Sequence, residues 1–461
     1  MTTFFLHFCS RFLVACLCLG ILLSLPMVTR ADDTRPAASG ERQAGAKQEP
    51  AAAVPADDPG EGAGGAAEQP GEAPDSSQAF PKKMPPTSAW EKIASFPGWI
   101  AYAPLWLTFE TVVGVIILND RVQLIPKTID FLTTEDGRRG VLPTVAPRSG
   151  IGVRYFANDI LNPGSRFRGT FAAGLRGRKL LEMHYYGIDV FDAALVVSGR
   201  AQYRNLTDER FYGIGPGTEE DDETSFGHKR ALAELTVGRQ LRERLRTEVA
   251  LGYEHNIIRQ GRGDSISITD VLTENELPGL EEESSMARIE LSFQYDGKNR
   301  DFRPSAGVEA ELRGRVTTEL KDDDFGFSTI GGDIRKYVHI RNDRILVFRL
   351  AATFVDPLSD RRVPFYSLSE LGRTNTIRGF RRGRFRDRDM ILGSIEYRYP
   401  VWRAMDALFF VDAGQVSNNI DANDLQLTFG GGFRVWEKKG AFLRLEIGVS
   451  DDGVRFHFFL N

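Results

Sequence analysis

The sequence predicts an all-β membrane protein: a 16-stranded antiparallel transmembrane β-barrel, preceded by a short helical segment and a disordered N-terminal tether. From about residue 141 onward, short segments alternate apolar and polar side chains with a period of two. The longest gaps between these segments all follow odd-numbered strands. The mean hydropathy of -0.26 fits a barrel, because its strands present an apolar side chain to lipid only at every second residue.

Residues 1–31 are predicted to form a secretory signal peptide. Arg11 precedes an apolar run from Phe12 to Val28, and a polar stretch begins after Ala31. This order is typical of a cleaved signal; the alternative is a signal anchor that stays in the inner membrane. All three cysteines of the chain lie within these residues. We therefore expect a mature chain without disulfides or thiolate metal sites.

The next two segments are predicted to lie outside the barrel. Residues 32–88 are rich in Ala, Pro, Gly and Glu, a composition that buries too little apolar surface to fold, so we expect a disordered linker. Residues 89–140 contain the apolar stretch 99–118, which Pro104 and Glu110 interrupt. This favours short amphipathic helices at the membrane interface or against the barrel over a transmembrane helix.

Residues 141–461 are predicted to form the barrel. In residues 287–296, for example, apolar side chains alternate with charged or polar ones, so one face of the strand is apolar. A soluble β-sandwich would show the same alternation, but Tyr295, Tyr397 and Tyr399 lie near strand ends, as in interfacial girdles. The predicted strands are 142–148, 150–157, 165–175, 179–188, 192–204, 227–240, 245–258, 285–296, 305–317, 327–340, 343–356, 389–402, 407–416, 425–437, 441–451 and 454–461.

The lengths of the gaps separate the two alternatives. The gaps 205–226, 259–284, 318–326 and 357–388 all follow odd-numbered strands, whereas most gaps after even-numbered strands are short. An outer-membrane barrel has short periplasmic turns and long extracellular loops. A sandwich gives no reason for this segregation, so the pattern favours the membrane barrel.

Three short motifs in the second half of the chain carry a resemblance. Residues 377–380 read IRGF in the gap 357–388, residues 393–396 read GSIE, and residues 410–414 read FVDAG. Residues 296–307 add a further matching turn. In this order the motifs resemble the BamA-like superfamily of outer-membrane assembly barrels, also called the bacterial surface antigen family. Residues 32–140 show no β-α-α-β-β pattern, so the chain looks like the branch without POTRA domains.

The resemblance implies that the sixth extracellular loop folds into the lumen and is held there. Glu396 and Asp412 are predicted to point inward from adjacent strands, and Arg378 can offer a planar guanidinium to both carboxylates. Gly379 allows a positive φ or a close approach to the wall, and Phe380 is expected to pack against the inner wall. The alternative is that Arg378 is one cation among several in an exposed basic loop.

The last strand resembles the C-terminal signal that the barrel-assembly machinery reads. Gly453, Phe456 and Phe458 match its glycine and aromatic positions, although three residues follow Phe458. The resemblance implies insertion into the outer membrane of a Gram-negative-type bacterium.

These features predict a function in outer-membrane protein insertion and assembly, or in polypeptide translocation, without POTRA domains of its own. The alternative is a passive or gated pore, or a structural barrel. The expected partners are outer-membrane lipids and lipopolysaccharide, the barrel-assembly machinery, and a client or periplasmic protein. The net charge of -5 gives no reason to expect nucleic acid. We expect no enzyme activity, metal or cofactor, because the chain has no G-x-S-x-G motif and its six histidines lack catalytic or metal spacing.

Overall fold

A computed structural model describes residues 132–190, 195–281, 283–300, 302–373, 375–402, 404–418, 424–437 and 440–460. The predicted signal peptide, the linker and nearly all of the predicted helical segment lie outside the described residues. Within the described part of the chain, no helix is both long and apolar enough to cross a membrane.

Among the described residues, sixteen strands form one antiparallel sheet in which each strand pairs with its neighbours in the chain, apart from a small hairpin between β11 and β14. This confirms the predicted all-β barrel and its strand number. The strands are β1 Arg139–Ala146, β2 Gly150–Asn158, β3 Arg166–Ala173, β4 Lys179–Val190, β5 Leu195–Phe211, β6 Thr224–Arg242, β7 Leu245–Gln260, β8 Ser284–Asp296, β9 Gly307–Glu319, β10 Gly326–Ile340, β11 Arg344–Pro357, β14 Asp389–Trp402, β15 Met405–Ser417, β16 Gln426–Glu437, β17 Gly440–Ser450 and β18 Gly453–Leu460.

Strands β5 and β6 are longer than the alternation predicts. The loop expected at residues 205–226 shrinks to 212–223, because β5 continues past a register shift between Leu206 and Glu209. At this shift, Asp208 forms an ion pair with Arg178, and Glu209 forms one with Arg148. An extra residue in one strand shifts the side-chain alternation. Together with the acidic side chains there, it interrupts the period of two that predicts a strand.

The two faces of the sheet differ as a membrane barrel requires. The side chains on the outer face form a belt of exposed apolar residues, which lipid covers in the membrane. This belt includes Val153, Phe171, Leu181, Leu235, Leu251, Leu291, Val316, Ile395, Phe409, Val411, Leu427, Phe429 and Phe456. The inner face carries rows of arginine and glutamate, such as Arg230 with Glu254 at 2.5 Å and Arg315 with Glu290 at 2.5 Å.

The long loops pack together over one end of the barrel. Phe211 and Phe226, at the ends of β5 and β6, contact Phe365 of the loop after β11, with ring centroids 5.6 and 5.0 Å apart. Ile268 and Leu277, from the loop after β7, join the same buried cluster. This apolar cap fixes the loop after β11 at its outer end and positions the rest of that loop over the lumen.

Candidate functional site

The candidate site is the sixth extracellular loop, residues 358–388, which runs between β11 and β14. It contains a small hairpin of β12 Ser369–Leu371 and β13 Phe385–Asp387, joined in register from Ser369↔Asp387 to Leu371↔Phe385. Residues 377–380 form the loop tip between these two strands. In the tip, Ile377 is 0% exposed, Arg378 5% and Phe380 2%. The tip is therefore enclosed by the barrel wall and not presented to solvent.

Arg378 makes a two-pronged contact with Asp412 of β15. Its Nε donates to Asp412 Oδ2 at 2.8 Å, and its Nη2 donates to Oδ1 at 2.7 Å. The backbone N–H of Arg378 also donates to Asp412 Oδ2 at 3.2 Å. Parallel charge-assisted bonds of this kind fix both distance and orientation. The guanidinium carbon lies 3.5 Å from the centroid of the Phe410 ring, which adds a cation–π contact.

Two further carboxylates complete the surroundings of the arginine. Nη1 of Arg378 donates to Glu396 Oε2 at 2.7 Å and to Glu446 Oε2 at 3.4 Å. The structure thus brings together Arg378, Glu396 and Asp412, the three charged residues singled out in the sequence, and adds Glu446 of β17. Burial alone would lower the pKa of the Arg378 guanidinium, but Asp412, Glu396 and Glu446 raise it above its ordinary value.

Arg434 of β16 balances the surplus of negative charge. Its Nη1 and Nη2 donate to Glu396 at 2.9 and 2.8 Å, and its Nε donates to Glu446 Oε1 at 2.9 Å. Arg398 adds a bond from Nε to Glu396 Oε1 at 2.7 Å. A buried charge network is tolerated when most of its members are paired and hydrogen-bonded. Here Arg378, which belongs to the loop, completes a charge network whose other members lie on β14, β15, β16 and β17.

The backbone of the tip lies directly against the barrel wall at Gly379. A side chain at Gly379 would meet Thr428 Oγ1 at 2.7 Å and Ser450 Cβ at 2.8 Å. The sequence offered two reasons for a glycine here, a positive φ or a close approach to the wall. Gly379 is not among the residues with positive φ, so the close approach is the reason that the structure supports. Opposite it, a Cβ on Gly448 would lie 2.5 Å from the carbonyl oxygen of Arg378.

Phe380 packs into an apolar cluster formed by the loop and the wall. Its ring meets that of Phe385 at 5.1 Å with an interplanar angle of 69°. Leu392 of β14 and Val416 of β15 are buried in the same cluster. Apolar contacts on one side of Arg378 and ionic contacts on the other thus hold the tip against the same pair of strands.

The last strand and the turn before it also contact this loop. His457 Nε2 lies 2.6 Å from the carbonyl oxygen of Arg378, and Arg384 Nε donates to Asp452 Oδ2 at 2.7 Å. The residues of the predicted C-terminal signal lie elsewhere on the strand: Gly453 starts it with a φ of +100°, and Phe456 and Phe458 face outward at 77% and 62% exposure. Their role as an assembly signal remains a prediction.

The turn between β8 and β9 forms a second contact across the sheet, at the periplasmic end. Arg303 holds the buried carboxylate of Asp406 at the start of β15, with Nε donating to Oδ2 at 3.0 Å. Trp436 Nε1 donates to the same oxygen at 2.7 Å. The turn is thus bonded to β15 through Asp406, a carboxylate that β16 also holds through Trp436. The sequence drew attention to this turn but not to its partner.

We expect Arg303→Ala to lower the urea concentration at the unfolding midpoint of the purified barrel, because Asp406 would lose its cation in a buried position. Breaking such a pair costs about 3–5 kcal/mol. Arg300→Ala in the same turn is the matched control, since Arg300 is exposed. Equal midpoints for the two variants would contradict this account of the turn.

Known proteins resemble this chain in sequence and in fold. Residues 163–449 match the Omp85 superfamily domain. The solved structure of BamA from Haemophilus ducreyi lacking POTRA domains 1-3 aligns with 69% of this chain and 68% of its own, at a TM-score of 0.52 and 16% identity. CdiB from Acinetobacter baumannii aligns at a TM-score of 0.44 and 13% identity, covering 70% of this chain and 57% of its own.

CdiB from Escherichia coli aligns at a TM-score of 0.43 and 10% identity, covering 69% of this chain and 61% of its own. This chain therefore spans less than two thirds of either CdiB chain. At these identities the structural likeness concerns the fold alone, whereas the family match extends over more than half of the sequence. The chain belongs to the Omp85 superfamily of outer-membrane β-barrels.

Proposed function

We propose that this barrel assists the insertion of polypeptides into the outer membrane, and that it does so at the seam between β1 and β18 without POTRA domains of its own. The observation that carries the proposal is the order of the sheet, which runs from β1 to β18 as its two end strands. Among the described residues, no ladder joins these two strands. Both edges of the sheet therefore keep unpaired backbone groups.

An unpaired strand edge is costly in lipid and attracts another strand. Backbone N–H and C=O groups without partners cost several kcal/mol each in a hydrocarbon environment. An extended client segment can satisfy them by adding itself to the edge, as in other cases of strand addition. The seam is thus a place where a polypeptide can acquire its first β-pairing while it enters the membrane.

In the part of the chain that the structure describes, β18 has no strand partner on the side of β1, and contacts from inside the barrel support it instead. His457 contacts the docked loop tip, and Arg455 Nη2 donates to Glu220 Oε1 at 2.8 Å. These contacts hold the inner face of the strand and leave its free edge available. In this proposal, the docked sixth loop prevents the barrel from collapsing at the seam while a client is bound.

The test is the folding rate of a purified client barrel into proteoliposomes that contain this chain. We expect faster folding than in empty liposomes, and loss of the gain when β1 and β18 are joined through introduced cysteines and a short bis-maleimide. The matched control is Val249→Cys with Leu291→Cys, which joins two positions already paired between β7 and β8. Equal rates with an open and a closed seam would overturn the proposal.

A pore is the second candidate, and the lumen gives it some support. The barrel encloses a cavity of about 440 Å³ lined by charged side chains that include Arg230, Glu254, Arg288 and Asp333. The apolar cap of the long loops covers one end of the lumen. Large, steady conductance of the wild-type chain in planar bilayers, without any effect on client folding, would favour the pore.

A further inference from the structure

Positive charge is concentrated on one arc of the lumen. Strands β2 to β5 carry an arginine wall on their inner face, defined as Arg154, Arg166, Arg168, Arg200 and Arg204. On these four strands, Glu182 lies 3.3 Å from Arg200, and Arg200 lies opposite Glu234 of β6. The acids at the far end of β5, Asp208 and Glu209, are paired with Arg178 and Arg148, which lie outside the wall. On the neighbouring arc from β6 to β9, by contrast, arginines and glutamates alternate as close pairs. The arginine wall is thus left with a large positive surplus.

Most of the wall has no partner within the described part of the chain. There, the side chains of Arg154, Arg166, Arg168 and Arg204 form no hydrogen bond or ion pair, and Nε of Arg204 is buried without an acceptor. The first three are exposed to the lumen. A guanidinium inside a barrel is not fully solvated, so an anionic partner would be bound more strongly here than on an open surface.

The strand register puts one arginine of the wall opposite another arginine, and a histidine between two more. Arg168 lies opposite His184, which in turn lies opposite Arg200 on the next strand. Arg204 lies opposite Arg230 of β6. Like charges directly across a sheet are destabilising. The pair of Arg204 and Arg230 therefore gains stability from any anion that lies along the wall.

The wall is elongated and begins near the point where the chain enters the barrel. Arg166 lies opposite Tyr186 of β4, which lies opposite Ser198 of β5. Arg204 lies six residues beyond Ser198 along β5, so the wall spans about 20 Å. Its lower end, at Arg166, is two strands from the start of β1 at Arg139, or about 10 Å. An extended polyanion approaching from the N-terminal side therefore reaches the wall first.

The chain itself contains a matching polyanion ahead of β1. Residues 49–79 contain seven acidic residues and no lysine, arginine or histidine. About 60 residues connect this acidic segment to β1, a contour length of up to roughly 200 Å. That length is far more than the wall requires. Covalent attachment also gives the segment a high effective concentration at the wall.

We propose that the acidic segment 49–79, which lies outside the residues that the structure describes, binds in cis to the arginine wall of its own barrel. The interaction is electrostatic: carboxylates spaced along an extended segment neutralise guanidinium groups that the barrel leaves unpaired. The proposal is independent of the seam and of the proposed function. It assigns to the N-terminal segment a role beyond that of a linker, as the ligand of one side of the lumen.

The test is intramolecular cross-linking in the full chain. Gln69→Cys labels the acidic segment and Thr170→Cys labels the middle of the wall, so that every charge is retained; the natural cysteines all lie within residues 1–31. With a bis-maleimide we expect an intramolecular product between these two positions. The matched control replaces Thr170→Cys by Thr353→Cys on the inner face of β11, where little product is expected.

Charge variants separate attraction from mere proximity. Changing the seven acids to Asn or Gln keeps the length of the segment, and we expect the yield of cross-linked product to fall about tenfold, the ratio for roughly 1.4 kcal/mol of lost attraction. Changing the seven acids to Lys should abolish the product, and adding Arg→Glu changes at the wall should restore it. Heat-modifiable gel mobility checks that each barrel is folded.

Three outcomes would overturn the proposal. The first is an unchanged yield after the seven acids are neutralised. The second is an equal yield at Thr170→Cys and Thr353→Cys, which would mean that the segment samples the lumen without preference. The third is a product that joins two copies of the chain, which would place the contact in trans. None of these outcomes bears on client folding, so failure here and failure of the proposed function can be told apart.

Discussion

Replacing Arg378 by alanine is expected to reduce strongly the amount of heat-resistant folded barrel in outer membranes. The change removes the cation that Asp412, Glu396 and Glu446 share. Asp412 is 0% exposed and Glu446 1%, so water cannot take the place of the guanidinium. Breaking a buried pair while one partner stays costs about 3–5 kcal/mol, which is a large part of the stability of an ordinary domain.

Two companion variants show whether the effect is specific. Arg313→Ala removes another arginine of the lumen, but its pair with Glu311 at 3.3 Å is more than a third exposed, so we expect a change of less than about 1 kcal/mol. Arg378→Lys should be intermediate, because an ammonium keeps the charge but cannot make the two parallel bonds to Asp412. Wild-type amounts and mobility for Arg378→Ala would contradict the assignment of this loop tip as a lock.

Gly448→Ala is expected to loosen the docked loop although it touches no charged group. The added Cβ would lie 2.5 Å from the carbonyl oxygen and 2.6 Å from the carbonyl carbon of Arg378. Both are backbone atoms of a segment fixed on its other side by Asp412, so the tip must shift. Overpacking of this kind costs about 1–3 kcal/mol. The shift also displaces the carbonyl oxygen that His457 contacts.

The loosened loop can be measured by proteolysis. Its many arginines make loop 6 a substrate for trypsin once it leaves the lumen, so we expect faster cleavage between β11 and β14 in Gly448→Ala than in the wild type. Gly314→Ala is the matched control, because a Cβ at this strand glycine meets nothing within 4 Å. Similar cleavage rates for the two variants would show that the tip does not rest on Gly448.

The sequence was sufficient for the barrel because alternation and loop length are local properties. The strands that it predicts recur in the structure, and the main difference is at β5 and β6, where acidic residues beyond a register shift interrupt the alternation. The segment 231–249, which a helical period also fits, lies in β6 and β7. The flanking pattern of strands is thus a better guide there than the period of a single window.

The site was only partly predictable, because its remaining members depend on which strands meet. Glu446 and Arg434 stand on the polar faces of predicted strands, but so do many other charged residues. Only the register of β14 to β17 brings these two to the Arg378 guanidinium. Asp406, the partner of Arg303, lies 103 residues along the chain, and no spacing rule connects them. The arginine wall likewise follows from strand pairing and not from any sequence motif.

The most direct test of the docked loop is a double-mutant cycle between Arg378 and Asp412, measured by urea unfolding of the purified barrel. The cycle uses Arg378→Ala, Asp412→Ala and the double variant, and its coupling energy isolates the interaction between the two residues. We expect each single variant to be strongly destabilised and the double variant to be destabilised by clearly less than the sum of the two, with a coupling of about 2–3 kcal/mol. Additive effects of the two substitutions, with no coupling, would contradict the account of a loop locked inside the barrel by this arginine.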